Sequence, residues 1–433
     1  MMRGWKRFGI FALVGLLLSW IVSCSSPRPT SQAAGGTQTV EFWTMQLKAG
    51  YEDYFNQLIA EFESQNPGIQ VKWVDVPWAS MESKILTAVS AKTAPDVVNL
   101  NPNFASQLAG QNAWMILDDK MSQADRDLYL PKIWQASTLD NKSFAIPWYL
   151  TTRVTIYNTD LLKQAGIEQP PATYAELANV AKQVREKTGK YAFFITFVPE
   201  DSGEVLESLV QMGVRLVDDQ GKAAFNTPEG KQAFQYWVDL YQQGLLPKEV
   251  LTQGHRRAIE LYQSGETAVL ASGAEFLGAI AKNAPSIAQV SASAPQISGE
   301  TGKKNVAVMN LVIPRDTDQP EAALKFALFV TNDQHQLSFA KAANVLPSTQ
   351  GALNDAYFKT APDNASSVEK ARIVSASQLK DAEVLIPTMK GMKQLQKIVY
   401  SNLQSAMLKQ KSVDQAIADA AKEWDAQAAT VGT

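Results

Sequence analysis

The chain predicts an α/β protein of two lobes, each a sheet with helices on its faces. Three observations carry that expectation. Between residues 39 and 148 the apolar residues switch between strand and helix periods in the order β-α-β-α-β. From residue 173 the same grammar restarts behind new helix caps. The roughly 400 residues that follow the N-terminal leader exceed what one hydrophobic core usually serves.

In the first region, "TVEFWTM" (39–45) sets Val40 and Phe42 against Glu41 and Trp43, a strand alternation. Tyr51, Tyr54, Phe55, Leu58, Ile59 and Phe62 then fall on one helical face. "NPG" (66–68) breaks that helix, and "IQVKWVDV" returns to strand alternation. A helix over 80–92, the apolar "DVVNL" (96–100), a short helix around Phe104 and Leu108, and a strand over 143–148 follow, so a largely parallel sheet is expected.

In the second region, Thr173 to Glu176 is a capping box, and its helix ends near Gly189. Thr227-Pro228 sets a cap residue before a proline at the first helical position, and Phe234, Trp237, Val238 and Tyr241 form the buried face. "ETAVLASG" (266–273) and "NVAVMNLVIP" (305–314) read as buried strands. Ser412 to Gln415 is a second capping box, before Ile417, Ala420, Ala421 and Trp424. No internal repeat is present.

Residues 1–23 read as a signal peptide. Arg3, Lys6 and Arg7 precede the uncharged run Phe8–Val22, which at 15 residues is short for a membrane span. "WIVSCSS" places Cys24 after Ile-Val-Ser, which resembles a bacterial lipobox, and Cys24 is the one cysteine of the chain. A lone cysteine forms no intramolecular disulfide, whereas a thioether lipid explains its position. Acyl chains on Cys24 would hold the protein on a membrane without a spanning helix. Residues 24–38 then form the acylated cysteine and a small, polar, Pro- and Gly-containing tether. Of 40 basic residues three lie in the leader, leaving 37 against 43 acidic ones, about −6, which argues against nucleic acid as a partner.

The chemistry of catalysis is sparse. The two histidines, His255 and His335, sit in no cluster of metal ligands, and no phosphate loop, nucleophile elbow or zinc-protease motif has the right context. The acid pairs Asp118-Asp119 and Glu200-Asp201 are of a kind expected by chance among 43 acids. The expectation is a protein that is not an enzyme and needs no cofactor or metal. Aromatics and amides instead gather at predicted strand ends: Trp43, Trp78, Asn99, Asn101, Asn103, Trp148 and Tyr149. An aromatic face stacks on the flat apolar face of a sugar ring, and Asn amides match hydroxyls as both donor and acceptor. Each has a structural alternative. Asn99 and Asn101 can cap the helix starting near Asn103, Arg153 can be a solvated edge charge, and Trp73, Trp114, Trp134, Trp237 and Trp424 fit packing sets.

The stretches "LIAEFESQNPGIQVKW", "APDVVNLNP", "FAIPWYLTTRVTIYNTDLLKQAGI", "PPATYAELANVAKQV", "SGETAVLASG" and "NVLPSTQGAL", in this order behind a lipobox, resemble extracellular solute-binding proteins of family 1, the carbohydrate-binding components of ABC importers. The resemblance covers the mature chain. It implies a periplasmic-binding-protein-like fold with a cleft between the lobes: 39–149 plus 307–352 as lobe 1, and 150–306 plus 353–433 as lobe 2. Crossovers are expected near Tyr149–Thr152 and near residues 305–308. Trp148 and Tyr149 would face the cleft with Thr151, Thr152 and Arg153 beside them, and Trp43, Asn99 to Asn103 and Asn310 would add contacts. Glu275 and Phe276 stand where many relatives carry a tryptophan.

By that resemblance the protein is an exported, lipid-anchored monomer that captures a di- or oligosaccharide or a glycoside by hinge closure and passes it to a membrane permease. A binder of glycerol phosphate or polyamine would share the fold. A secreted glycan-cleaving lipoprotein would share the aromatics, and a signalling or adhesion lipoprotein would bind sugar without any importer partner.

Overall fold

The computed structural model describes residues 37–199, 201–386 and 389–431. The leader 1–23 and Cys24, on which the anchor expectation rests, lie outside the described residues. Longer elements are numbered here in chain order. Strands β1 (Gln38–Met45), β2 (Ile69–Val76) and β3 (Val97–Leu100) run parallel with β1 in the middle. They are linked by α1 (Lys48–Gln65) and α2 (Trp78–Ser90). Helix α1 buries Phe55, Leu58 and Phe62, three of the positions that the 3.6-residue period selects. Asp75, at the end of β2, accepts the Leu47 and Lys48 amides at 2.8 and 3.1 Å and so anchors the start of α1. Asn101 caps α3 (Pro102–Ala109) by accepting from the Phe104 amide at 2.9 Å.

The short strand expected over 143–148 is the start of a 13-residue strand, β4 (Ile146–Asn158), that belongs to both lobes. From Arg153 onward it pairs with β5 (Val269–Gly273) and β6 (Ser291–Pro295). Up to Thr152 it pairs with β7 (Lys304–Val312), and Tyr149 and Leu150 also meet β8 (Leu346–Pro347). All four pairings are antiparallel. The largely parallel sheet expected from the sequence is therefore confined to β1–β3 and a two-residue contact of β7 with β9 (Ala382–Glu383). The reason is chain return: β7 re-enters the first sheet from the second lobe and lies antiparallel to both β3 and β4.

The second lobe follows its caps. Helix α4 (Tyr174–Thr188) has both halves of the Thr173/Glu176 capping box and ends at Gly189 with φ 70°, where glycine is favoured. It is followed by α5 (Glu204–Gln211), α6 (Pro228–Gln242), α7 (His255–Gln263) and α8 (Phe276–Asn283). Helices α9 (Pro320–Val330) and α10 (Asp333–Ala343) return to the first lobe, and α11 (Ser367–Ser377), α12 (Met392–Met407) and α13 (Val413–Val431) close the chain. The last capping box is half formed: Ser412 accepts from the Gln415 amide at 3.1 Å, but the Gln415 side chain turns to Asp419 at 2.6 Å.

Two separate hydrophobic cores result. One holds Phe42, Phe55, Trp148, Phe326 and Phe339, and the other holds Phe197, Phe234, Trp237, Ile417 and Trp424. The segment 353–385 packs on both, Phe358 and Leu379 against the first and Ala371 and Val374 against the second.

Candidate ligand site at the lobe junction

Strand β4 changes partners between Thr152, opposite Val306, and Arg153, opposite Gly273. A buried polar network ties the crossing segments together at this point. The Thr152 and Ser375 hydroxyls are 2.6 Å apart, and Gln378 Nε2 donates to the Arg153 carbonyl at 3.2 Å. Gln378 Oε1 accepts from the Gln296 amide at 2.6 Å, Gln296 Oε1 from the Asn305 amide at 2.7 Å, and Asn305 Oδ1 from the Leu385 amide at 3.2 Å. Main-chain groups that a sheet edge would leave open are thus satisfied by side chains.

Arg153 is not an edge charge. Its guanidinium meets Glu204 Oε1 at 2.7 Å through Nη1 and Glu207 through Nε at 3.1 Å and Nη2 at 3.3 Å. His255 Nδ1 lies 2.8 Å from the same Glu204 oxygen. Burial alone would raise the Glu204 carboxyl, but Arg153 and His255 hold it down at about 2. Burial likewise opposes charge on His255, and Glu204 more than offsets it, so its pKa lies above the ordinary value. Beside this cluster is a cavity of about 60 Å³, lined by Arg153, Tyr174, Glu204, Glu207, Gln211 and Gln296 among others and able to hold a few waters.

Tyr51 and Tyr149 both pack edge-on against Phe339, at 5.6 and 5.3 Å between ring centres, and Glu275 belongs to the other lobe. Tyr51, in the first turns of α1, departs from helical dihedrals at φ −138° and ψ 23°. Tyr149 ends the first half of β4, and Glu275 precedes α8 in the second lobe. The Tyr149 phenol is pushed up by burial and then by Tyr51 and Glu275, and the Tyr51 phenol is pushed up by burial and then by Glu275. Glu275 therefore lies within electrostatic reach of both rings. Its carboxyl is itself raised by burial.

The other sequence candidates fall into two groups. Trp78, at the start of α2, is 47% exposed, and Thr151 and Phe276 are half-buried. Trp148 is a correction: it is 0% exposed, stacked on Phe339 at 4.9 Å and near Phe42, Phe55 and Tyr149. The cause is a bulge. Pro147 sits opposite Asn310 and Tyr149 opposite Met309, which leaves Trp148 unpaired and turns two consecutive aromatics toward Phe339.

Trp43 is also packed, its indole donating to Glu41 at 2.7 Å with the Lys84 ammonium 4.1 Å from the ring centre. Asn99 is buried and donates to the Asn310 carbonyl at 3.3 Å, while Asn310 Oδ1 accepts from Ser137 at 2.8 Å. Asn101 is occupied as a cap, and Asn103 lies on α3, its side chain outside the described set.

Sequence reasoning did not single out Tyr51, Glu204, Glu207, His255, Gln296 or Gln378 for the site. One signal was available: Glu204 and Glu207 are three apart on one helix, a spacing suited to one forked cation. Among the described residues no three His, Cys, Asp or Glu side chains are grouped to hold a metal.

Two cores strung on one shared strand, with a buried polar network tying the crossing segments, define the class of hinged two-lobe binding proteins. Residues 48–337 match the family described as bacterial extracellular solute-binding protein, and the chain belongs to that family. Among solved structures it is similar to a Synechococcus sp. MITs9220 protein classed with oligosaccharide periplasmic-binding proteins and crystallised with zinc. The two share 46% identity over 91% of this chain and 100% of that one, with a TM-score of 0.86.

The cyclic alpha-maltosyl-1,6-maltose binding protein of Arthrobacter globiformis shares the fold at 20% identity, 91% and 99% coverage and a TM-score of 0.78. The diacetylchitobiose binding protein DasA of Streptomyces coelicolor is 24% identical over 80% of this chain and 82% of its own length. No described helix is long and apolar enough to cross a membrane.

Proposed function

We propose that this protein is the substrate-binding component of an ABC importer, capturing a di- or oligosaccharide or a glycoside between lobes 39–149 plus 307–352 and 150–306 plus 353–433. The observation that carries the reading is the one strand, β4, shared by two separate hydrophobic cores and tied at the crossing by the buried network of Thr152, Gln296, Asn305 and Gln378. Aromatic faces suit sugar rings, and a carboxylate suits hydroxyl donors. Contacts made from both lobes exist only when the lobes close, so a bound sugar shifts the population to the closed form that a permease would engage. Trp78, Thr151 and Phe276 are the accessible candidates for further contacts. Sugar-binding names among the relatives favour the same class of solute.

The rest of the reading follows from the leader. Cys24 carries the lipid, the protein is exported and held on the membrane as a monomer, and it turns nothing over. Replacement of Cys24 by serine is expected to move the protein from the membrane to the soluble fraction. A membrane-bound C24S chain would refute the anchor.

The deciding experiment is a thermal-shift screen of the full chain against monosaccharides, disaccharides, oligosaccharides, glycosyl-polyols, glycerol phosphate, polyamines and zinc. A ligand at about a hundred times its Kd stabilises by about 2.7 kcal/mol, a shift of a few degrees. A shift with a sugar group and no product formation supports the proposal. A shift with phosphate esters or polyamines alone overturns the sugar assignment, and turnover of the sugar overturns the binding-protein role.

A further inference from the structure

We propose that Lys393 is a latch between the lobes: it crosses from the second lobe to Glu82 and Phe104 of the first, and so sets the population of the closed form and, through it, the affinity for the solute. The inference rests on the hinge-closure reading above and names a residue that governs it.

Helix α12 belongs to the second core through Leu395, Val399 and Tyr400, whereas α2 belongs to the first through Met81 and Ile85. Lys393, in the first turn of α12, nevertheless pairs with Glu82 of α2. Its ammonium also lies 5.1 Å from the centre of the Phe104 ring, in the first turn of α3. Beside it the stem of Lys390 lies over Gly110, the residue that ends α3, where an added Cβ would come within 2.8 Å of the Lys390 Cγ. The two lobes therefore touch through α2, α3 and the start of α12.

A lysine in the first turn of a helix opposes the positive end of the helix dipole, so α12 itself disfavours Lys393 and the favourable partners are those in the other lobe. The bridge also falls where α2 and α3 begin, after the C-terminal ends of the parallel strands β2 and β3. That edge of an open α/β sheet is where a ligand crevice lies. Opening the hinge draws α12 away from α2, so the ion pair and the ring contact favour the closed form alone. The side chains of Lys393 and Glu82 are 52% and 34% exposed, so the pair is sensitive to salt and its loss leaves no buried charge.

Energy transfer between dyes on S64C, in α1, and Q243C, just behind α6, reads the separation of the lobes in the full chain with no ligand present. K393M is expected to raise the ratio of open to closed forms about three- to tenfold, K393E to raise it further, and E82K/K393E to recover part of the loss. Added salt should shrink the difference between K393M and the wild type. The sugar that the thermal-shift screen identifies is expected to bind K393M about three- to tenfold more weakly and to leave it faster. Lobe separations unchanged in both K393M and K393E overturn the latch, and so does a changed separation that leaves the sugar affinity as it was. If no sugar binds, the sugar assignment falls, and the ligand-free separation alone decides the latch. Lys393 lies outside both cores, so K393M should melt as the wild type does, which separates loss of closure from loss of fold.

Discussion

The two halves of β4 solve burial in opposite ways. Up to Leu150 it carries Trp148 and Tyr149 into a cluster of rings that needs no ions. Three residues later it carries Arg153 into a lobe whose interior holds Glu204 and Glu207, paired through that one guanidinium. A ring cluster tolerates loss of one member by the volume removed, whereas an ion cluster tolerates loss of its cation poorly, because the remaining charges stay buried. The aromatic half is therefore sensitive to lost volume, and the charged half to a lost balance of charge.

The largest expected effect comes from breaking the charged half. Arg153→Met should lower stability by about 3–5 kcal/mol, and the triple variant R153M/E204Q/E207Q should recover much of that. Chemical denaturation of both variants checks it, and equal losses would mean that charge is not the cause. Trp148→Ala should cost about 3–5 kcal/mol through the cavity it leaves. A Trp148→Ala chain that melts like the wild type yet binds sugar weakly would return this residue to the cleft.

The pH profile separates the halves further. Glu204 falls from an ordinary value near 4.5 to about 2 on folding, so its contribution, on the order of 3 kcal/mol, is present above 4.5 and lost as pH falls toward 2. His255 is raised on folding, so its contribution is complete below its ordinary value of 6.5 and lost as pH rises through the folded value. Stability should peak between about 4.5 and 6.5, and E204Q should flatten both limbs in a melting series against pH. The smallest effect is at the seam. Gln378→Ala removes the side-chain partner of the Gln296 amide and one donor to the Arg153 carbonyl and should cost about 1–3 kcal/mol. It should also change the ligand affinity more than Tm alone predicts, which isothermal titration would register.

Local order was legible in the chain. Alternation marked β1 and β2, a short apolar run marked β3, the helical period marked α1, and Thr173 with Glu176 marked the start of α4, because each depends on residues a few positions apart. The aromatic pair at 148 and 149 was legible as a feature but not as a role. A bulge opposite Met309 decided which face both rings take, and no local spacing announces it.

Arg153 could be seen at a strand position. Its partners, 51 and 54 residues away, were fixed only when α5 brought Glu204 and Glu207 to the guanidinium. The sequence by itself determined the elements, their caps and the family, since those are written in short-range periodicity and in ordered local stretches. The tertiary structure decided where β4 changes lobes, which aromatics are sealed in the core, and that Arg153 is held between Glu204 and Glu207. Those outcomes depend on which distant surfaces share one interior, and burial, not spacing, sets the energy of a ring or a charge.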